Sequence, residues 1–315
     1  MVVNYVIYHK SCMDGFASLT VLDHFGVFER SGRTWFHAAA PNDKELPPNL
    51  SASREVVIAD VNYRASMVLD ILTTPVKSVL MFDHHISRDT EAFRAMEKSY
   101  KNFKYVHDLQ DCAAGIVWKH YSRGKEPVPY SIQLIGDSDR GVWSMKDSQN
   151  FVLGLDVLYN EKPGLSRELT LKKLELWRST IFSPEKVAEI IQHGAVVAPF
   201  NSMVIEKMSS NYEIVGLRTP QGGTLKLLVT NVGVYMAAKV AIRLSQKTDA
   251  DLVIAWYYNS KVKRIVCVVR SKSADVSWLL HMYKGGGHPK AGTFFYKAKH
   301  VDKFVKRHNE KLSAT

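Results

Sequence analysis

Cysteine is scarce and scattered: Cys12, Cys112 and Cys267 are the three in 315 residues. So few, so far apart, exclude a disulfide framework and favour a reducing, cytoplasmic setting. No apolar run approaches the roughly 18 residues a membrane span needs, so a helical membrane protein is excluded. The opening Met1–Tyr8 lacks the basic flank and cleavage pattern of a signal peptide and reads as a first core strand. Internal repeats, low-complexity tracts and long lysine/arginine blocks are also missing. The last absence argues against an arm that coats a duplex and for a small anion or a short strand as partner.

What is present is an ordinary globular composition, 46% hydrophobic and 23% charged, long enough for two domains or one large one. Lys and Arg total 42 against 31 Asp and Glu, a net +11 that favours a polyanionic partner. The excess is spread, with local groups at 119–125, 261–264 and 297–307.

The first half alternates apolar runs with helical spacing. Strands are expected at Val2–Tyr8, Arg54–Ala59, Lys77–Phe82 and Phe103–His107. Helices are expected at Gly15–Phe25, Arg64–Leu72 and Cys112–Tyr121, the last with Asp111 as N-cap. Such alternation predicts a mostly parallel sheet covered on both faces. From Pro127 to Ala198 the pattern turns helical, ending in a connecting helix at Pro184–Val197. A second unit from about Asn211 mixes strands (212–217, 224–230, 252–258, 264–269, 293–296) with helices at 236–244 and 275–283 and a basic closing helix at Val301–Leu312. The fold class is therefore α/β: a parallel-sheet domain at 1–183, a helical linker at 184–210 and a smaller mixed α/β domain at 211–315.

Ligand-type residues gather where the predicted strands end. The first runs into His9-Lys-Ser-Cys12-Met-Asp14-Gly15, the second into Asp60, the third into Asp83-His84-His85. In an open parallel sheet, ligands bind outside the carboxyl ends of the strands. Buried carboxylates and imidazoles are costly without something bound to them, and their N and O atoms suit divalent metals. Asp137 or Asp139, after the apolar run Ile132–Ile135, completes the set. That many ligands exceed one tetrahedral zinc and suit two metals that clamp a phosphoryl group. In the second unit, Gly285-Gly-Gly-His288 leaves backbone N–H groups open to an anion. Arg270, at a strand end before Ser271 and Lys272, is a natural phosphate partner. Trp143, Trp177 and Trp256 are expected in the core.

These motifs, in this order, resemble the DHH phosphoesterase family with a C-terminal DHHA1 domain. Asp83-His84-His85 matches the naming motif and Gly285–His288 the glycine-rich signature. The sequence His9–Gly15 is most similar to the oligoribonuclease-like members called nanoRNases. The resemblance implies two divalent ions, Mn most often, with Mg or Co compatible. One would be held by His9, Asp60 and the position of Cys12, the other by Asp14, Asp60, His84 and Asp137, with Asp139 the alternative to Asp137. His85 would contact the phosphate and Asp83 would orient His84 through its ring N–H. Arg270, Ser271, Gly285, Gly286, Gly287 and His288 would bind substrate. Cys12 departs from the family, which mostly carries a carboxylate there. The implied activity is hydrolysis of short RNA or DNA oligomers to mononucleotides by metal-activated water. The alternatives are action on 3′-phosphoadenosine 5′-phosphate, dinucleotides or polyphosphate, and a non-catalytic nucleotide- or RNA-binding module. A homodimer is compatible with the family; a membrane partner is not expected.

Overall fold

The computed structural model describes residues 4–298 apart from 31, 33, 42, 51–53, 86–88 and 159–165. The chain divides into two compact units, Met1–Ala198 and Pro199–Thr315. In the first, β1 (Tyr5–His9), α1 (Met13–His24), β2 (Trp35–Ala39), β3 (Glu55–Ala59), α2 (Ala65–Thr73), β4 (Ser78–Asp83), α3 (Thr90–Ser99) and β5 (Phe103–His107) precede a helical half of α4 (Ala113–Ser122), α5 (Tyr130–Asp139), α6 (Ser148–Leu158) and α7 (Arg167–Ile181). The connecting helix α8 (Pro184–Met208) runs past Val197 and carries Pro199 within it, so the division falls inside a helix. The second unit holds β6 (Glu213–Arg218), β7 (Thr224–Asn231), α9 (Ala237–Lys247), β8 (Leu252–Asn259), β9 (Arg264–Ser271), α10 (Ser277–Met282), β10 (Gly286–His288) and β11 (Ala291–Lys297). The expected closing helix at Val301–Leu312 lies outside the described residues. No helix among the described residues is long and apolar enough to cross a membrane.

The first sheet has five strands in the order β2-β1-β3-β4-β5, all parallel. Alternate residues point to opposite faces, and both faces are covered. Val6, Tyr8, Val57 and Phe82 pack with α1, α4 and α7, while Tyr5, Ile7, Val56, Ile58, Val79 and Met81 pack with α2 and α3. Burial on both faces is why Val56-Val57-Ile58 reads as an unbroken apolar run with no alternation. The chain leaves β1 for β2 on one side and returns to β3 on the other. That reversal places a crevice at the carboxyl ends of β1 and β3, where open α/β sheets bind ligands.

Trp177 anchors the helical face: it is 1% exposed and meets Phe16 of α1 edge-on, ring centres 5.0 Å apart. Trp177→Ala is expected to cost about 3–5 kcal/mol, the usual range for emptying a buried aromatic site. Denaturant unfolding would measure it, and a loss below about 1 kcal/mol would mean that this layer does not hold the unit together. Trp256 is half-buried beside the second unit's core. Trp143 is not a core residue: it is 38% exposed, with a left-handed backbone at φ 53°.

The second sheet has six strands in the order β10-β11-β9-β8-β7-β6, antiparallel except for β7–β8. Parallel neighbours need a crossover, and α9 supplies it. The segment Gly286–His288 is an edge strand.

Candidate metal centre

Three adjacent strands, β1, β3 and β4, deliver the first-unit ligand candidates to one edge. His9 is the last residue of β1, Asp60 follows β3, and His84 and His85 follow β4. Asp60 sits in the left-handed region at φ 65°, a conformation Asp tolerates better than most residues. Its amide is tied to Phe82 O at 3.0 Å, which fixes the turn from sheet to site. Asp14 lies in the first turn of α1, and Gly15 explains how that turn comes so near the strand. A Cβ on Gly15 would stand 2.5 Å from His9 O and 2.8 Å from His9 Cβ, so only glycine permits the approach.

The geometry centres on Asp60. One carboxylate oxygen, Oδ2, is 3.2 Å from His9 Nδ1; the other, Oδ1, is 3.2 Å from His84 Nε2. His84 Nε2 is also 3.2 Å from Asp139 Oδ2 and 3.7 Å from Asp14 Oδ2. Among the described residues, ligand atoms form three overlapping groups whose members lie within 4.8 Å of one another: His9, Cys12 and Asp60; Asp60, His84 and His85; Asp14, His84 and Asp139. Asp60 and Asp14 are fully buried and His84 is 5% exposed.

These residues fit divalent cations. Asp60 Oδ1 and His84 Nε2 are buried and lack a hydrogen bond despite facing each other. Orphaned buried polar atoms of this kind call for an explanation. A cation among them satisfies both and neutralises carboxylates that otherwise repel.

The charges show the same need. Burial and then the neighbouring Asp60 and Asp139 push Asp14 up to about 8. Burial, followed by Asp60, also raises Asp139. Burial opposes charge on Asp60 too, but pairing with His84 and His9 outweighs it and holds the carboxyl well below its ordinary value. Burial would lower His84; its carboxylate neighbours win and raise it to about 10. Burial and then Asp60, Asp139 and Asp14 push the Cys12 thiol well above its ordinary value.

A pH dependence follows. An Asp14 carboxyl raised to about 8 opposes folding increasingly as the pH climbs from its unfolded value of 3.8. A His84 raised from 6.5 to about 10 stabilises the fold below 6.5 and loses that contribution as the pH rises through 10. Both act in one direction. Metal-free protein is therefore expected to melt lower at about pH 8 than at about pH 6, and divalent ions, which displace these protons, to raise the Tm more at the higher pH. Thermal scans in EDTA and in Mn²⁺ check this; an equal rise at both pH values would contradict it.

Two residues stand elsewhere than the resemblance implies. Asp137 is not in the ligand group. Its carboxylate accepts from Ser144 N (3.0 Å), Ser144 Oγ (2.8 Å), Met145 N (3.1 Å) and Ser148 Oγ (2.5 Å). It holds the chain after α5, while Asp139, two residues on, faces His84. Asp83 does not orient the His84 ring: its Oδ1 accepts from the backbone amides of His84 and His85 at 2.9 and 3.2 Å and pairs with His85 Nδ1 at 2.7 Å. The ring it fixes is that of His85.

Asp14 has a further task invisible in the sequence. Its Oδ2 and Oδ1 accept from Ala113 N (2.7 Å) and Ala114 N (2.9 Å) at the start of α4, where a helix favours negative charge. Asp111 is not the N-cap of α4. That position is Cys112, whose sulfur accepts from Gly115 N, while Asp111 pairs with Lys119.

In the second unit, Arg270 on β9 and His288 on β10 both pair with Ala291 of β11, one from each side. Arg270 Nη1 donates to Val269 O at 2.8 Å. Gly287, at φ 145°, crosses so near β11 that a Cβ would meet Ala291 O at 2.3 Å. Two expected substrate contacts are otherwise engaged: the buried Ser271 hydroxyl donates to Asp251 O at 2.9 Å, and Gly285 N donates to Leu280 O at 2.7 Å.

No protein family model matches the chain, and no curated protein matches it. Among solved structures, the pGpG-specific phosphodiesterase PggH of Vibrio cholerae aligns over 98% of this chain and 99% of its own, at 14% identity and a TM-score of 0.48. An exopolyphosphatase-related protein of Bacteroides fragilis aligns over 98% of this chain and 92% of its own, at 13% identity and a TM-score of 0.49. Identities and TM-scores this low leave the reading of the site to its own residues.

Proposed function

We propose that this protein is a divalent-metal-dependent phosphoesterase that hydrolyses short oligonucleotides to mononucleotides. The observation that carries the proposal is Asp60, buried between His9 on one side and His84 on the other, each facing a different carboxylate oxygen at 3.2 Å. In this reading one ion would be held by His9, Cys12 and Asp60 and the other by Asp14, Asp60, His84 and Asp139. Bound there, such ions supply an activated water and polarise the phosphoryl oxygens. Mn²⁺ suits the N and O donors among these, with Mg²⁺ and Co²⁺ as alternatives.

The chain's own residues do the rest. Asp83 fixes the proton on His85 Nδ1 and so the tilt of the ring, and it raises the pKa of His85 against the effect of burial. An imidazole held in that position can meet the developing charge on a phosphoryl group. Asp14 ties the N-terminus of α4 to the site. The net charge of +11 favours polyanionic substrates. Arg270 and the edge glycines Gly286 and Gly287 belong to the proposal as the second unit's phosphate contacts.

The test is product analysis of end-labelled RNA of two to five nucleotides with Mn²⁺, Mg²⁺ or EDTA. Dinucleotides (including pGpG, the substrate in the name of the Vibrio protein), 3′-phosphoadenosine 5′-phosphate and polyphosphate are run beside it. Release of mononucleotides that stops in EDTA is expected. Hydrolysis confined to polyphosphate would move the substrate, and retained nucleotide binding with no turnover in any metal would replace the enzyme by a binding module.

A further inference from the structure

Cys12 occupies a helix N-cap without capping. It precedes α1 with extended backbone angles (φ −122°, ψ 133°), and its side chain makes no cap hydrogen bond. N-caps favour Ser, Thr, Asp and Asn because their oxygens accept from the first-turn amides. The contrast within this chain is direct, since Cys112 holds the same position before α4 and does accept, from Gly115 N at 3.4 Å. Helix capping therefore accounts for Cys112 and not for Cys12.

The Cys12 sulfur instead joins His9 and Asp60 in a group whose ligand atoms lie within 4.8 Å of one another. Ser11, left-handed at φ 55°, turns the chain between the two donors. Asp60, fully buried, turns its Oδ2 towards this group, 3.2 Å from His9 Nδ1, while its Oδ1 faces His84. The companion group of Asp14, His84 and Asp139 offers only nitrogen and oxygen of its own, with Asp139 Oδ1 accepting from Cys12 Sγ at 3.9 Å. The two groups thus differ in softness. Thiolate selects thiophilic cations, whereas carboxylate and imidazole suit Mn²⁺ and Mg²⁺ as well.

We propose that His9, Cys12 and Asp60 form a site for a thiophilic divalent cation of the zinc, cobalt and cadmium class, with Cys12 bound as thiolate, so that the two positions flanking Asp60 differ in metal preference. On binding, the S–H bond breaks, a sulfur–metal bond forms and the proton leaves to solvent. This inference rests on the two-site reading under Proposed function.

The test titrates the metal-free, full-length protein with Co²⁺ and follows the thiolate-to-cobalt charge-transfer band, with cadmium and manganese affinities measured in parallel. Wild type is expected to show the band. Cys12→Ser is expected to lose it and to weaken cadmium binding by about 100-fold or more, beyond the ~10–100-fold that losing a mere supporting partner costs. Cys12→Asp is expected to shift preference towards manganese. A measurement without substitution guards against misfolding. Cys112 and Cys267 are buried, so thiol labelling of native protein reports Cys12, and bound cadmium should block it. Cobalt that binds without the band, and is lost in Asp60→Asn, overturns the thiolate assignment and leaves the two-site reading standing. Failure of wild type to bind any of these metals overturns both.

Discussion

Asp60→Asn is expected to lower metal-dependent hydrolysis of short RNA by more than ~10³-fold, beyond the ~10²–10³ that one preorganised donor is worth. The size follows from position. Asp60 stands between both ligand groups, each oxygen facing a different histidine, so its loss weakens both sites at once. Asparagine keeps the shape but offers one neutral oxygen where two charged ones stood. The fold should survive, because two effects oppose each other. Pairing with His9 and His84 is lost, while the repulsion that Asp60 exerts on Asp14 and Asp139 is relieved. Single-turnover kinetics with saturating Mn²⁺ measure the first expectation and near-ultraviolet circular dichroism the second. A variant that keeps a tenth of the wild-type rate or more, at roughly 1.4 kcal/mol per tenfold, would remove Asp60 from the chemistry.

The second large effect is a separation between two aspartates two residues apart. Asp137→Ala is expected to destabilise the first unit by about 3 kcal/mol, since two amides and two hydroxyls lose a buried charged acceptor. Burial opposes ionisation of Asp137, yet Ser148, Met145 and Ser144 outweigh it and hold the carboxyl at about 2. Stability from this group is present above the unfolded value of 3.8 and lost as the pH falls through about 2; the shift is worth roughly 2 kcal/mol. Asp139→Asn should behave in the opposite way. It makes no such cap and carries a carboxyl raised by burial and Asp60, so the metal-free Tm should hold or rise while turnover falls by more than ~10²-fold. Denaturant midpoints and kcat measured on both variants decide it. Equal losses of stability would mean that the two residues share one structural role.

What was legible in the sequence, and what was not, divides along the same physical line. Strands β1, β3 and β4 stand out because a parallel sheet covered on both faces needs unbroken apolar runs, and polar residues then mark where each run leaves the core. His9, Asp60 and His84 were therefore readable from their places. Asp137 against Asp139 was not, because the choice depends on Ser144 and Ser148 folding back, beyond α5. The same holds for Asp83: its partner is set by the turn after β4, and alternation along a strand does not reveal it. Gly15 carried a signal that spacing does not show, since its role depends on how near α1 comes to His9. Strand β2 was missed because an edge strand with an exposed tryptophan, Trp35, lacks the apolar continuity that exposed the central strands. Helix α3 buries Phe93 alone, which leaves little periodicity to read.

The claim at the centre is that the residues around Asp60 hold divalent cations. Anomalous scattering from crystals of the full chain grown with Co²⁺, which suits both donor sets, tests it most directly. Two peaks per chain are expected, one between Asp60 and the His9–Cys12 side and one between Asp60 and the His84–Asp139 side. Density with no cobalt bound to Asp60 would contradict it.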